Sequence, residues 1–157
     1  MSRKLLVLIL ASVFLFAGIL QAQYTPAFEL KWSKAAGDVS WMGASTERGI
    51  DYYNGKLYVA SRGDGSYIRI LDASDGSLID SIDASSFTGG ALPFSGLSVS
   101  DDGKIFTANL TSDATASPFK VYMWENDADD TPETVVDWSG AAVRVVDNLA
   151  VAGSVDD

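Results

Sequence analysis

The chain has 157 residues, no cysteine, no histidine and a formal net charge of −10. The absence of cysteine excludes disulfides, thiol nucleophiles and thiolate metal sites, and the absence of histidine excludes a Ser-His-Asp triad and His-ligated metals. The acidic balance makes nucleic acid and anionic membrane surfaces poor partners, because binding them depends on Lys and Arg neutralising phosphates.

The first 22 residues are predicted to be a secretory signal peptide. Arg3 and Lys4 precede an apolar run from Leu5 to Leu20, and Ala22 supplies a small residue for cleavage. The run is shorter than the roughly 20 residues that span a bilayer, so we expect cleavage rather than an uncleaved membrane anchor. An exported chain without disulfides fits a bacterial source, and we predict a secreted, periplasmic or cell-surface location with no membrane attachment after cleavage.

The first predicted strands of the remaining segment, residues 23–157, form a partial unit over residues 28–43. Phe28–Ser33 alternates and is predicted to be a strand, Gly37-Asp38 turns the chain, and Val39–Met42 is predicted to be its partner.

A passage of sequence then occurs twice and begins a third time. Residues 49–61 reappear as residues 96–109, with Leu57 matched to Ile105, and a degraded third copy over residues 143–153 is matched through Leu149. The matched residues lie 105 − 57 = 48 and 149 − 105 = 44 positions apart, and short strands and tight turns at a period of that length are typical of the blades of a β-propeller.

Each of the two full copies predicts four antiparallel strands, over residues 48–83 and 95–138, and a further unit begins at residues 141–157. Asn54-Gly55 is a strong hairpin signal, because both turn positions tolerate positive φ. The predicted strands are Ile50–Tyr53, Leu57–Ser61, Tyr67–Leu71, Ser77–Ile82, Gly96–Ser100, Lys104–Leu110, Phe119–Trp124 and Glu133–Trp138.

The predicted fold class is therefore all-β, a partial β-propeller with antiparallel four-stranded blades. Closed propellers contain about four to eight blades, more than this chain supplies. We expect an N-terminal fragment of a longer protein whose missing blades close the ring. The alternative is a naturally short chain that closes its ring by oligomerisation.

Several short motifs carry a resemblance to known proteins. The turn at residues 71–77 is similar to the third-strand turn of quinoprotein-type propellers, with Asp75 in place of the usual Thr. Residues 46–49 (TERG), 109–111 (NLT) and 117–122 (SPFKVY) resemble an uncharacterised family of exported bacterial propeller-like domains with quinoprotein or YVTN-type repeats. The resemblance covers about two blades. It implies a secreted or surface protein and no established activity.

Propeller ligands usually meet the loops between the second and third strands and the loops between blades. The polar residues of those loops are our ligand-binding candidates, and the alternative is that they are solvated or link the blades. They are Glu47, Arg48, Arg62, Asp64, Asn109 and Asp113. No catalytic residue, metal ligand or cofactor is predicted, since the Asp-rich turns do not match the spacing of a calcium loop.

Two functions remain at this stage. The favoured one is an exported, non-catalytic propeller module that binds a protein or a glycan. The alternative is a fragment of a carboxylate-based glycoside hydrolase or lyase, or of a quinoprotein-like enzyme, whose catalytic residues lie in missing blades.

Overall fold

The computed structural model describes residues 28–155, so the predicted signal peptide and the last two residues lie outside the described part. The chain divides into two units between Leu30 and Lys31, and every strand of the described residues lies in the second unit. Residues 28–155 contain strands, turns and loops without any helix, and so without an apolar helix long enough to cross a membrane. The predicted all-β class is confirmed.

Eight strands form two open antiparallel sheets of four, with the strands of each sheet in chain order. The first sheet contains β1 (Glu47–Tyr53), β2 (Lys56–Ser61), β3 (Tyr67–Asp72) and β4 (Leu78–Asp83). The second sheet contains β5 (Leu92–Val99), β6 (Ile105–Leu110), β7 (Phe119–Trp124) and β8 (Glu133–Trp138). Each strand overlaps the corresponding strand predicted from the repeat.

Turn chemistry sets the register of the first hairpin. Asn54 and Gly55 have φ angles of 47° and 79°, and Tyr53 pairs with Lys56 across them. Positive φ at both positions gives a turn whose twist matches that of the strands. The equivalent turn of the second sheet is one residue longer, and the Ser100 backbone N–H donates across it to the Lys104 carbonyl at 2.9 Å.

The two strands predicted before β1, at Phe28–Ser33 and Val39–Met42, are absent, and those predictions are wrong. Residues 35–42 instead form a compact series of turns, because their backbone groups bond to one another rather than to a strand. The Gly37 N–H donates to the Met42 carbonyl at 2.9 Å, and the Met42 N–H donates to the Val39 carbonyl at 3.1 Å.

The main core lies between the two sheets. Alternate residues of β2 and β3 pack against the facing strands of the second sheet, since neighbouring side chains of a strand point to opposite faces. Phe87, from the connection between the sheets, stacks on Tyr122 with ring centroids 3.8 Å apart. Burying each large side chain stabilises the fold by about 1.5–3 kcal/mol. The buried set includes Tyr58, Ala60, Ile68, Ile70, Phe94, Leu97, Val99, Ile105 and Trp124.

Irregular segments pack on the outer faces of both sheets. Residues 31–46, here called the N-terminal cover, place Trp32, Trp41 and Met42 against Val59 and Leu71 of the first sheet. Residues 141–155, here called the C-terminal cover, place three apolar side chains against the outer face of the second sheet. These side chains are Val146, Leu149 and Val151. The described part of this unit is therefore layered as cover, sheet, sheet, cover.

The first strands of the two sheets lie side by side and run parallel. A Cβ placed on Gly49 would lie 2.6 Å from the Leu97 backbone nitrogen, so only glycine permits this approach. Two residues further on, the Asp51 carboxylate accepts hydrogen bonds from the Ser98 hydroxyl at 2.9 Å and from the Val99 N–H at 2.8 Å. A glycine and a side-chain acceptor thus join the layers.

The C-terminal cover repeats this contact with the second sheet. A Cβ on Gly96 would lie 3.2 Å from Leu149, and the Val151 N–H donates to the Ser98 hydroxyl at 3.0 Å. Leu149 therefore corresponds to Leu97 and not to Ile105, and the predicted register of the third copy is wrong. The match through Ile105 compared passages of sequence, whereas the glycine and the acceptor fix the register in the structure.

Candidate functional site

The topology brings all six predicted ligand-binding residues to the same end of the two sheets. This end, here called the loop end, contains the beginnings of β1, β3, β5 and β7 and the ends of the other strands. These termini lie together because each sheet is antiparallel and the first strands of the two sheets run parallel. The six residues fall into two groups, one on each sheet. The opposite end, here called the hairpin end, contains the turns that follow β1, β3, β5 and β7.

The two candidates of the second sheet hold their own loop. Asn109 is fully buried, and its side chain donates to the Pro118 carbonyl at 2.9 Å and accepts from the Lys120 N–H at 2.8 Å. Asp113 accepts from the backbone and the hydroxyl of Thr115, and the hydroxyl bond lowers the pKa of this carboxyl. The hydrogen-bonding capacity of both side chains is directed into the loop.

Asp64 likewise has a partner within its own sheet. Its carboxylate forms an ion pair with Arg69, whose guanidinium lies over the Tyr67 ring at 4.2 Å and near the Trp41 ring at 5.8 Å. Arg69 also donates to the Ser81 hydroxyl at 3.0 Å. This cluster fastens the N-terminal cover to β3 and leaves Asp64 occupied.

The remaining candidates, Glu47, Arg48 and Arg62, lie close together at the loop end of the first sheet. The Arg62 backbone N–H donates to the Thr46 carbonyl at 3.1 Å, and this bond holds Arg62 beside the start of β1. Burial lowers the pKa of Arg62, the charge of Arg48 lowers it further, and Glu47 opposes the change. Arg48 and Arg62 are called the arginine pair below. The Nε atom of Arg62 is buried and bonds to none of the described residues.

The carboxylate of Glu47 is only partly available to neutralise the positive charge of the arginine pair. Its carboxylate accepts from the Thr46 hydroxyl at 2.8 Å and from the Ser61 hydroxyl at 3.3 Å. The register of β1 against β2 shifts between Glu47 and Gly49, so Arg48 occupies a bulge. Because a bulge redirects the side chain it contains, Arg48 is exposed at the rim rather than aligned with the sheet.

A cleft of about 450 Å³ lies beside these residues. Its apolar floor is formed by the N-terminal cover and the outer face of the first sheet, and its rim contains Lys34, Glu47, Arg48 and Asn148. The floor comprises Trp32, Met42, Ile50, Val59 and Leu71. A mostly apolar cleft with a few polar groups at its edge is the usual form of a ligand site.

A second polar cluster, at the hairpin end, was not found from the sequence. The Asp127 carboxylate accepts from the Lys56 ammonium and from the Tyr58 hydroxyl, the latter at 3.0 Å. The Lys56 hydrogen bond lowers the pKa of Asp127, and burial followed by the bond to Asp127 raises the pKa of Tyr58. Asp127 lies 71 positions from Lys56 and 69 from Tyr58, so no local motif marks the cluster. The cluster joins the two sheets.

The described residues contain no group of three or more Asp or Glu side chains arranged to hold a metal ion. Comparison with known proteins adds no family or fold relative: no protein-family model, curated protein or solved structure matches this chain.

Proposed function

We propose that the two sheets are neighbouring blades of a β-propeller in an exported bacterial protein of the propeller-like family that the motifs resemble. The support is a contact used twice. Gly49 and Asp51 receive the first strand of the second sheet, and Gly96 and Ser98 receive the C-terminal cover in the same way. Sheets of four antiparallel strands that stack through a repeated contact are typical of blades.

On this scaffold we propose a non-catalytic module that binds a protein or a glycan, with the arginine pair as its ligand site. The carrying observation is that Arg48 lies at the rim of the cleft while Arg62, whose backbone N–H donates to the Thr46 carbonyl at 3.1 Å beside the start of β1, has a buried Nε without a partner among the described residues. Four of the six loop candidates, by contrast, have side-chain partners that the structure shows, as described above. Two cations held together on a chain of net charge −10 form a local site for an anionic group.

The chemistry favours a carboxylate on the ligand. A guanidinium binds a carboxylate through two parallel hydrogen bonds, and the planar fork of arginine matches this geometry better than lysine does. An acidic peptide and a uronic-acid glycan both present such groups. The apolar floor of the adjacent cleft provides surface for the uncharged part of either ligand.

Equilibrium binding to a fluorescent uronic-acid oligosaccharide and to a fluorescent glutamate-rich peptide tests the proposal, with a neutral oligosaccharide as reference. We expect Arg48→Gln and Arg62→Gln each to weaken binding of the preferred anion about tenfold, equivalent to about 1.4 kcal/mol. Lys120→Gln is the matched control, because Lys120 is an ion-paired cation on the second sheet. Equal binding by all variants, or no preference for either anion over the neutral sugar, contradicts the proposal.

A further inference from the structure

The aromatic ring of Trp32 lines the cleft beside the arginine pair and is held in one orientation. Its Nε1 donates a hydrogen bond to the Ala73 carbonyl at 3.0 Å. A Cβ on Gly76, which is buried, would lie 2.7, 2.8 and 2.9 Å from three adjacent atoms of the six-membered ring. Three nearly equal distances place Gly76 over the face of the ring rather than at its edge, so only glycine permits this contact. The indole is therefore fixed by one bonded edge and one packed face.

The ring gives the cleft a rigid aromatic surface. Trp32 is half-buried, and Gly76 is not among the residues that line the cleft, so the cleft contacts the ring away from the face that Gly76 covers. The apolar side chains of Met42 and Leu71 continue this surface. A ligand that stacks here costs the protein little ordering of side chains, because the ring is already in position.

Two side chains at the rim of the cleft can bind hydroxyl groups. Within residues 28–155, Glu47 accepts from the Thr46 and Ser61 hydroxyls through Oε1, which leaves Oε2 for a hydroxyl of the ligand. Asn148 is exposed at the same rim and supplies an amide that both donates and accepts. A ligand that carries several hydroxyl groups matches this rim.

The rim also favours a negative charge on the ligand. Two cations, Lys34 and Arg48, and one acid, Glu47, line the cleft. The pKa of Asp147 is lowered mainly by a hydrogen bond from Arg144, at 2.9 Å, and only in part by the charge of Arg48. Because Asp147 is bonded to Arg144, Arg48 remains able to bind an anionic group of the ligand.

These features discriminate between the two ligands considered for the arginine pair. A glutamate-rich peptide matches the charge, but its carboxylates are carried on flexible chains that have no flat face. A uronic-acid glycan carries a carboxylate, hydroxyl groups and a flat C–H face on the same rigid ring. The C–H bonds of that face are slightly positive and pack against the negative face of an aromatic ring.

We propose that the ligand of this site is a uronic-acid glycan and that Trp32 determines the specificity for it. One sugar ring stacks on the indole face opposite Gly76, and a carboxylate of the glycan pairs with Arg48. The inference rests on the proposed function, because it assigns a ligand to the same site. The cleft of about 450 Å³ lies within the range of about 300–1,000 Å³ that is usual for ligand pockets, so it accommodates a short segment of the glycan.

Three probes separate the contribution of the sugar ring from that of the charge. Oligogalacturonate has both, its methyl ester keeps the rings and loses the charge, and a glutamate-rich peptide keeps the charge and lacks the rings. Titration calorimetry with the unaltered protein should give the tightest binding with oligogalacturonate. Tighter binding of the peptide than of oligogalacturonate overturns the proposal.

Substitution of Trp32 tests the stacking contact. We expect Trp32→Ala to weaken binding of oligogalacturonate and of its methyl ester about tenfold and to leave binding of the peptide unchanged. Trp138→Ala is the matched control, because Trp138 is a partly exposed tryptophan of β8 in the second sheet. Unchanged binding of oligogalacturonate by Trp32→Ala, or an equal loss of sugar and peptide binding, overturns the proposal.

A milder variant keeps the test decisive if Trp32→Ala does not fold. Trp32→Phe retains an aromatic ring of smaller area, and thermal unfolding of each variant shows whether it is folded. We expect Trp32→Phe to weaken binding of both sugars by less than tenfold, with no change for the peptide. Sugar binding that is as tight as in the unaltered protein contradicts a stacking role for the indole.

The two proposals fail in different ways. We expect Arg48→Gln to weaken binding of oligogalacturonate and of the peptide, but not of the methyl ester. If Arg48→Gln has this effect while Trp32→Ala and Trp32→Phe have none, the stacking contact is overturned and the proposed function stands. If Arg48→Gln leaves binding of both anions unchanged, the proposed function is overturned, and the ligand assigned to its site is overturned with it.

Discussion

The strongest test of the layered fold is the removal of the carboxylate that joins the two sheets. Asp51 accepts two hydrogen bonds from the second sheet, one from the Ser98 hydroxyl and one from the Val99 N–H. Val99 is buried, so Asp51→Ala leaves its N–H without an acceptor. Hydrogen bonds to a charged group contribute about 1.5–3 kcal/mol, and an unsatisfied buried donor costs about 1–3 kcal/mol.

We therefore expect Asp51→Ala to lower the free energy of unfolding by about 3 kcal/mol, and Asp51→Asn by about 1 kcal/mol because the amide oxygen still accepts. Urea unfolding followed by tryptophan fluorescence measures this change, since Trp124 is fully buried in the core between the sheets. Asp80→Ala is the matched control. Within residues 28–155 the Asp80 carboxylate accepts a hydrogen bond from the Ser81 N–H alone, at 2.7 Å. Asp51 accepts the same kind of bond from the Tyr52 N–H in addition to its two bonds with the second sheet.

A double-mutant cycle with Ser98→Ala assigns the loss to the contact itself. We expect a coupling energy of about 1 kcal/mol between Asp51 and Ser98. If Asp51→Ala cost no more than Asp80→Ala, the carboxylate would not hold the sheets together and the reasoning would be refuted.

Three further changes test other contacts between the layers. Tyr58→Phe should lower the free energy of unfolding by about 1 kcal/mol at neutral pH. Because the pKa of Tyr58 is raised, the contribution of this residue to the free energy of unfolding should be complete below pH 10.0 and fall above it. Urea unfolding at rising pH should show a shallower fall in the variant than in the unaltered protein. The pKa of Asp127 is lowered, so its contribution to the free energy of unfolding is present above pH 3.8 and is lost as the pH falls through the lower pKa of the folded state. Asp127→Asn should make the loss of stability at low pH less steep in the same urea experiment. An unchanged loss at low pH would contradict the role of the cluster. Gly49→Ala should lower the midpoint of thermal unfolding by several degrees, because the Cβ of alanine would clash with the Leu97 backbone nitrogen. An unchanged midpoint would show that the two strands do not need this close approach.

Local chemistry made the strands predictable. Asn54-Gly55 fixes a hairpin because both residues accept positive φ, and the β-forming residues on either side supply the two strands that the turn joins. The residues before β1 were mispredicted for a related reason. Val39–Met42 has strand-forming composition, but its backbone bonds within its own turns, and composition does not reveal the partner of a backbone group.

Contacts between layers were less predictable. The repeat pointed to the loop end, yet it could not show that Asn109 is fully buried and bonded while Arg62 has a buried Nε without a partner among the described residues. These differences arise from loop conformation. The cluster of Lys56, Tyr58 and Asp127 depends on residues in different sheets, and the register of Leu149 depends on what faces Gly96.

The C-terminal cover has a consequence for how the molecule opens. Its one β-bridge joins Thr111 and Val145, whereas each strand of the sheets lies in a full ladder. In a stack whose layers contact only their neighbours, fluctuations begin at an end and spread one layer at a time. Amide protons of the two covers, residues 31–46 and 141–155, should therefore exchange with solvent before those of the two sheets, so that the molecule opens from both ends of the stack towards its middle.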